Sequence, residues 1–397
     1  MMYGLSQILA ATGIGLRSIP QRLGNSLVIV IGIAAVAAVL TSVLAMSDGF
    51  SRTIRGGARS DRILVLTRNA NEESASSFSR EQVAALQNVP GLRRDSSDLP
   101  IVSAEVVLVA PVVRKTSNTD AYITLRGVGP QAMQVRPEVR MYSGRMFEPG
   151  LHELIVGRAA QQQFSGLEAG GHVRLHDGDW LITGVFEAGD NVRESELLAD
   201  SQTVLSSYKL DAFNSVTALL DGERALDTVH RAVAADPTLE VKVLTEPDYL
   251  DAVSGDTHRL LEAVALVIGT MMAVGALFGA LNTMYSSVAA RSREIATLRA
   301  IGFAPGVVLA SVLIEALLLA LVGACVGVAI AYLAFDGNAI STLGGSRWDS
   351  QLVYSLTITP SLMAIAAAIA CAIGSIGGLL PAWRAIRQPI AQSLQTA

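Results

Sequence analysis

The chain has 397 residues, 51% of them hydrophobic and only 16% charged, with a mean hydropathy of +0.43 and a formal net charge of −5. That composition places part of the chain in lipid and leaves room for two or three domains. Outside Asp48–His258 there are nine Lys or Arg against five Asp or Glu, and inside it 21 against 30. A slightly basic membrane part beside an acidic soluble block excludes a nucleic-acid binder. Two cysteines in apolar runs, Cys325 and Cys371, exclude a disulfide framework.

In chain order, residues 4 to 22 set Leu5, Ile8, Leu9, Thr12, Leu16 and Ile19 along one helical face, with Arg17 and Arg22 towards the end. This is the pattern of an amphipathic helix in the membrane interface, with a disordered tail as the alternative. Leu27 to Met46 is 20 uncharged residues, the length that crosses a bilayer. The 26 residues ahead of it and the length of the run favour a retained span over a cleaved signal peptide.

Asp48–His258 is polar, alternating and turn-rich, a folded block outside the membrane. It should hold a strand at Arg62–Thr67 and a helix at Ser79–Gln87, opened by a Ser79/Gln82 capping box and ended before Pro90. A strand over Ile101–Lys115 should pair with Tyr122–Arg126 as a hairpin. A second strand–helix–strand unit follows at Ser215–Leu220, Glu223–Ala235 and Leu239–Leu244. Between the two units, about 127 to 207 is more β-rich, with Val173–His176 facing Trp180–Phe186 across Asp177-Gly178-Asp179.

Three further spans are expected: Ala263–Ala290, Val307–Phe335, and a last one from Thr359-Pro360 to about Trp383. Arginines in the loop before Val307 and at Arg384 and Arg387, against a net −1 over Asp336–Leu356, set the orientation by the positive-inside rule. Both termini are then cytoplasmic in an inner-membrane protein, and the large block is extracytoplasmic. The division is 1–47 for the interfacial helix and first span, 48–258 for the outer domain, and 259–397 for the last three spans, with the cytoplasmic loop at about 289–304.

That loop is the most informative stretch. No charge occurs between Glu262 and Arg291, and Val307–Phe335 is broken only by Glu315. Between them stand Arg291, Arg293, Glu294 and Arg299, while Ile295, Leu298 and Ile301 recur every third residue, which suggests one apolar edge on a short helix. Gly302 and Pro305 stop that helix and start the next. The stretch Arg-Ser-Arg-Glu-Ile-Ala-Thr-Leu-Arg-Ala-Ile-Gly resembles the coupling loop of FtsX/MacB-type ABC-transporter permeases, with Ala290 and Ala296 where that family usually has Glu and Gly. Gly144-Arg145-Met146-Phe147, Ile182-Thr183-Gly184-Val185-Phe186 and Leu380-Pro381-Ala382-Trp383-Arg384-Ala385 are similar to further phrases of the same family.

The resemblance implies a four-span membrane protein with a large α+β extracytoplasmic domain between the first two spans, porter-like with a β-rich insert. It implies a homodimer bound to two ATPase subunits, which hold the ATP and Mg. Arg291, Arg293, Glu294, Ile295, Leu298, Arg299 and Gly302 would then serve ATPase coupling, with Ile295 and Leu298 filling a groove on the partner. Export, with a periplasmic adaptor and an outer-membrane duct, and lipoprotein or lipid handling are the expected tasks; a signalling subunit that transmits force to an extracytoplasmic hydrolase is the alternative.

The chain contains no Gly-x-x-x-x-Gly-Lys-Ser/Thr loop, no Gly-x-Ser-x-Gly elbow and no His-Glu-x-x-His. It therefore offers no catalytic residue and no cofactor site of its own. His172 and His176 lie about 13 Å apart on a strand, too far to share a metal. Arg193, Glu194 and Glu196 read as a solvated loop. Gly275/Gly279, Gly323/Gly327 and Gly374/Gly378 are Gly-xxx-Gly pairs on the last three spans, suited to packing within one subunit or to a dimer seam. Glu315 lies inside a span, where a carboxylate faces protein or water; a bond to a neighbouring helix and a substrate or proton role are both open.

Overall fold

The structure is a computed structural model that describes residues 12–13, 23–176, 178–189, 191–222, 224–290, 292–341 and 353–387. The interfacial helix expected at 4–22 falls almost wholly outside the described residues, as do Arg291 and the side chain of Arg293.

In chain order the helices are α1 (Leu23–Arg55), α2 (Arg80–Gln87), α3 (Ala132–Val135), α4 (Arg158–Gln163), α5 (Ser201–Tyr208), α6 (Ala225–Ala235), α7 (Glu246–Ala290), α8 (Ser292–Ala300), α9 (Pro305–Phe335) and α10 (Pro360–Arg387). The strands are β1 (Arg62–Thr67), β2 (Val102–Arg114), β3 (Asp120–Val128), β4 (Arg140–Gly144), β5 (Glu153–Gly157), β6 (Phe164–Ser165), β7 (His172–Leu175), β8 (Gly178–Glu187), β9 (Leu197–Asp200), β10 (Ser215–Leu219), β11 (Val241–Thr245), β12 (Ala339–Ser341) and β13 (Val353–Ser355).

The chain divides into two compact units. One holds residues 1–48, 260–338 and 356–397, the other 49–259 and 339–355. In the first, α1, α7, α9 and α10 each carry a stretch long and apolar enough to cross a membrane, with mean hydropathies of 2.8, 1.7, 2.6 and 2.2. Its core is made of Ile29 and Ile33 of α1, Met284 and Val288 of α7, Val312, Ala316 and Ala320 of α9, and Ala370 of α10. Several of the glycines pack closely. A Cβ on Gly327 would overlap the Ala34 carbonyl of α1, and one on Gly374 or Gly378 would press on Ala320 or Ala316 of α9. Gly323 likewise lies against Val30 and Ile33.

The second unit is built on an eleven-stranded sheet of order β11-β1-β10-β2-β3-β9-β5-β8-β4, with β6 on β2 and β7 on β8. Its first four strands are mutually antiparallel, with Arg62 opposite Leu219 and Ser215 opposite Glu105. α2 starts from Ser79, whose side chain accepts from the Gln82 amide while the Gln82 side chain accepts from the Ser79 amide. The capping box legible in the sequence is therefore formed. The β2–β3 hairpin leads into the insert, where β3–β9 and β5–β8 run parallel. The β7–β8 turn is tighter than expected from its sequence: Leu175 pairs with Gly178, and His176 takes the left-handed φ of 51°.

Residues 339–341 and 353–355 belong with this sheet unit. They form a small hairpin, β12–β13, whose Val353 is 3% exposed and joins the main core. The net charge of Asp336–Leu356 carried no sign of this, because its short apolar pieces, Ala339-Ile340 and Leu352-Val353-Tyr354, are too brief to register as strand periodicity.

Candidate functional site

α8 is a nine-residue helix between two spans. Ile295 is 7% exposed and sits among Met284, Val288, Val308 and Val312 of its own bundle. Ala296 is buried and Leu298 half-buried, and Leu298 lines the same cleft as Ile295. Ile301, by contrast, is 68% exposed, and Glu294 and Thr297 share the exposed side. This corrects the expected apolar edge. At ~100° per residue, a spacing of three drifts backwards by about 60° each step, so Ile301 lies about 120° around the helix from Ile295. Ile295 therefore anchors α8 to its own bundle, with Leu298 half-buried beside the same cleft.

The end of α8 is a complete Schellman stop. The Gly302 amide donates to the Arg299 carbonyl (3.2 Å) and the Phe303 amide to the Leu298 carbonyl (3.1 Å), with Gly302 at φ 102°. A residue with a Cβ is strained at that φ. Pro305 then opens α9 at its first turn.

Glu315 is 6% exposed and lines the same cleft as Ile295, beside Ser287 and Ser311. It faces protein. Of the three glycine pairs, Gly323/Gly327 and Gly374/Gly378 hold helices of one subunit together, whereas a Cβ at Gly275 or Gly279 would meet nothing within 4 Å.

The sheet unit holds a buried ionic network that the sequence did not announce. Arg126 on β3 spends its whole guanidinium on three carboxylates. Nη1 donates to Glu73 and Glu105 (both 2.8 Å), Nε to Glu196 (2.9 Å), and Nη2 to Glu73 (3.0 Å) and Glu196 (3.1 Å). Arg136 pairs with Glu105, and Arg193 reaches Glu196 at 3.0 Å and Glu246 at 3.6 Å. Arg62 closes the chain of contacts on Glu246 and Glu138, each at 2.8 Å. Burial pushes the Glu73 carboxyl up, but the Arg126 guanidinium outweighs it and holds the group at about 2. Burial works against the Arg126 charge in the same way, yet Glu196, Glu73 and Glu105 together raise its pKa well above the ordinary value.

Arg193, Glu194 and Glu196 are thus not a solvated loop: each is buried, at 6%, 5% and 5% exposed. They form the 3-10 turn Val192–Ser195 and the residue after it. That turn has a second partner. The Ser195 hydroxyl accepts from the Val353 amide (2.9 Å) and donates to the Val353 carbonyl (3.3 Å), while Tyr354 meets Phe50 edge to face at 5.8 Å. The β12–β13 hairpin and the first turn of α7, through Glu246, therefore converge on one short turn of the insert.

Among the described residues no group of three or more His, Cys, Asp or Glu could hold a metal ion.

Comparison with known proteins bears on both units. A model of the FtsX-like permease C-terminal region matches residues 266–390, and a model of the MacB-like periplasmic core domain matches residues 23–236. An uncharacterized ABC transporter permease of Bacillus subtilis strain 168, YknZ, is 24% identical over 408 residues, covering 96% of this chain and 95% of that protein. The macrolide export ATP-binding/permease protein MacB of Shewanella sp. strain ANA-3 is 39% identical over 130 residues, which is 32% of this chain and 18% of that protein. The chain thus spans about a fifth of the length of such MacB relatives. Among solved structures, the extracellular domain of YknZ aligns at 18% identity with a TM-score of 0.36, covering 46% of this chain and 99% of that one. Two family models, one over the last three spans and one over the first span and most of the sheet unit, leave one assignment: the chain belongs to the FtsX/MacB-type ABC-transporter permeases, as a four-span membrane protein with a large α+β extracytoplasmic domain between its first two spans.

Proposed function

We propose that the chain is the mechanical half of an ABC system: a permease that receives motion from separate ATPase subunits at α8 and passes it to the extracytoplasmic domain. The observation that carries this reading is the two-sided build of α8. One side is fixed to the bundle by Ile295, and the other presents Glu294, Thr297 and Ile301. A short helix held on one face transmits a push without rotating in its seat. α7, 45 residues long from Glu246, ends at Ala290, the residue before Arg291 of the loop.

The arginine bias of the loop and of Arg384 and Arg387 supports cytoplasmic termini in a cytoplasmic (inner) membrane. A homodimer accounts for the uncovered Gly275/Gly279 surface of α7. Movement of the outer domain would serve export, with an adaptor and outer-membrane duct, or the handling of lipids or lipoproteins.

The test is to copurify the chain with its ATPase and compare ATP turnover of the parent with that of Ile301→Asp and of Arg293→Ala/Glu294→Ala. Both variants should bind the membrane normally and lose most of the coupling between permease and ATPase. If both couple like the parent, α8 is an ordinary connector and the permease reading loses its mechanism.

A further inference from the structure

The seam between α7 and α10 contains an apolar crevice of about 410 Å³, lined by Leu266, Ala273 and Leu277 on one side and Ile369, Ile373 and Ile376 on the other. This is within the size range of small-molecule sites, about 300–1,000 Å³. Ile376 is 54% exposed, so the crevice opens to the surroundings of the bundle. On α10 its face continues. Counting ~100° per residue, Leu380, Trp383 and Arg387 fall within about 40° of Ile369, and Arg384 within about 60°. Leu380 and Trp383 are 55% and 49% exposed.

The end of this stripe changes chemistry. The Arg387 guanidinium lies over the Trp383 ring at 5.0 Å, and that of Arg384 lies 5.9 Å from the Tyr285 ring of α7. Neither arginine pairs with a carboxylate among the described residues. Two aromatic rings at the end of a membrane span mark the headgroup level, and each steadies a cation there. Ile376 lies eight residues and Ile369 fifteen residues before Arg384, so the crevice runs from about 12 to about 22 Å below that level at helical rise. Half of a ~30 Å hydrocarbon core, plus the headgroup layer, covers that depth.

We propose that the α7–α10 seam is a binding site for an anionic phospholipid, with its phosphate at Arg384 and Arg387 and one acyl chain in the crevice. The charge decides the occupant. A second copy of the chain would bring the same two arginines, whereas a phosphate neutralises them at the depth where lipid phosphates lie. The proposal stands independently of the permease mechanism.

The experiment uses the full chain in neutral micelles, with Trp180→Phe and Trp348→Phe so that Trp383 alone fluoresces. Phosphatidylglycerol or phosphatidylcholine with brominated acyl chains is titrated in, and quenching is read. Each arginine near an anionic surface contributes about 1 kcal/mol, so half-quenching should need about thirty-fold less phosphatidylglycerol than phosphatidylcholine. Arg384→Gln/Arg387→Gln should bring the two lipids level. Ala273→Phe, which fills the crevice and leaves the arginines, should weaken quenching by both lipids. Variants are compared at matched elution volume. Equal quenching by the two lipids in the parent would overturn the proposal, as would a preference that survives the double glutamine change. Efficient disulfide formation between copies by Ile373→Cys, in a background without Cys325 and Cys371, would give the crevice to a second copy and overturn it as well.

Discussion

At the scale of single residues, Arg126 dominates the sheet unit. Removing one partner of a buried ion pair costs about 3–5 kcal/mol, because the other charge is left without compensation, and Arg126 leaves three carboxylates behind. Arg126→Met should therefore lower the thermal unfolding temperature of the full chain more than any exposed charge removal, such as Arg94→Ala; equal effects would reduce the network to decoration. Glu73 contributes to the pH dependence, beside Glu105, whose carboxyl is also held below its ordinary value. The folded value of Glu73, about 2, lies below the ordinary 4.5, so its stabilisation is complete above pH ~4.5 and is lost as pH falls through about 2. The sign follows from linkage: the unfolded chain binds the proton more readily. Unfolding followed from pH 5 to pH 2 should show this loss, and Glu73→Gln should lessen it. None of this was legible beforehand, since Arg126 and Glu196 are 70 residues apart and a sequence shows charges without their partners.

At the scale of elements, three pieces behave as units. Ile295→Ala should unseat α8 and lower bundle stability by about 2–5 kcal/mol, the usual cost of a large-to-small core change, whereas Ile301→Ala should leave stability alone and reduce ATPase coupling. Limited proteolysis of the loop, compared with ATP turnover, separates the two. The β12–β13 hairpin hangs on Ser195. Ser195→Ala removes one acceptor and one donor worth about 1 kcal/mol net, so the Val353 amide should exchange with deuterium roughly fivefold faster. No change there would mean that core packing of Val353 alone holds the hairpin. The glycine pairs divide by environment. Gly327→Leu should prevent α1 from packing on α9 and abolish folded protein, while Gly275→Leu meets no neighbour and should leave the monomer intact. If Gly275→Leu also alters the mass of the purified complex, the α7 surface is a seam between copies.

At the scale of the whole molecule, the arginine bias gives an orientation that labelling can check. In a chain without Cys325 and Cys371, Gly178→Cys should react with an impermeant maleimide added from outside and Gln395→Cys should not. Reaction at both positions would refute the topology. What the sequence determined by itself was everything carried by local pattern. Four apolar runs gave four spanning helices, and Ser79 with Gln82 gave the start of α2. Gly302 gave the stop of α8. In each case the physical cause lies within a few residues along the chain: hydrophobic length, a capping pair, a backbone that tolerates positive φ. Tertiary structure alone decided which face of α8 is anchored, which glycines meet a neighbour, and that Arg193, Glu196 and Val353 gather around one buried turn. Those outcomes depend on contacts between segments tens to hundreds of residues apart, and burial turns a charge that would be a solvated surface group into one that must find its partners or neutralise.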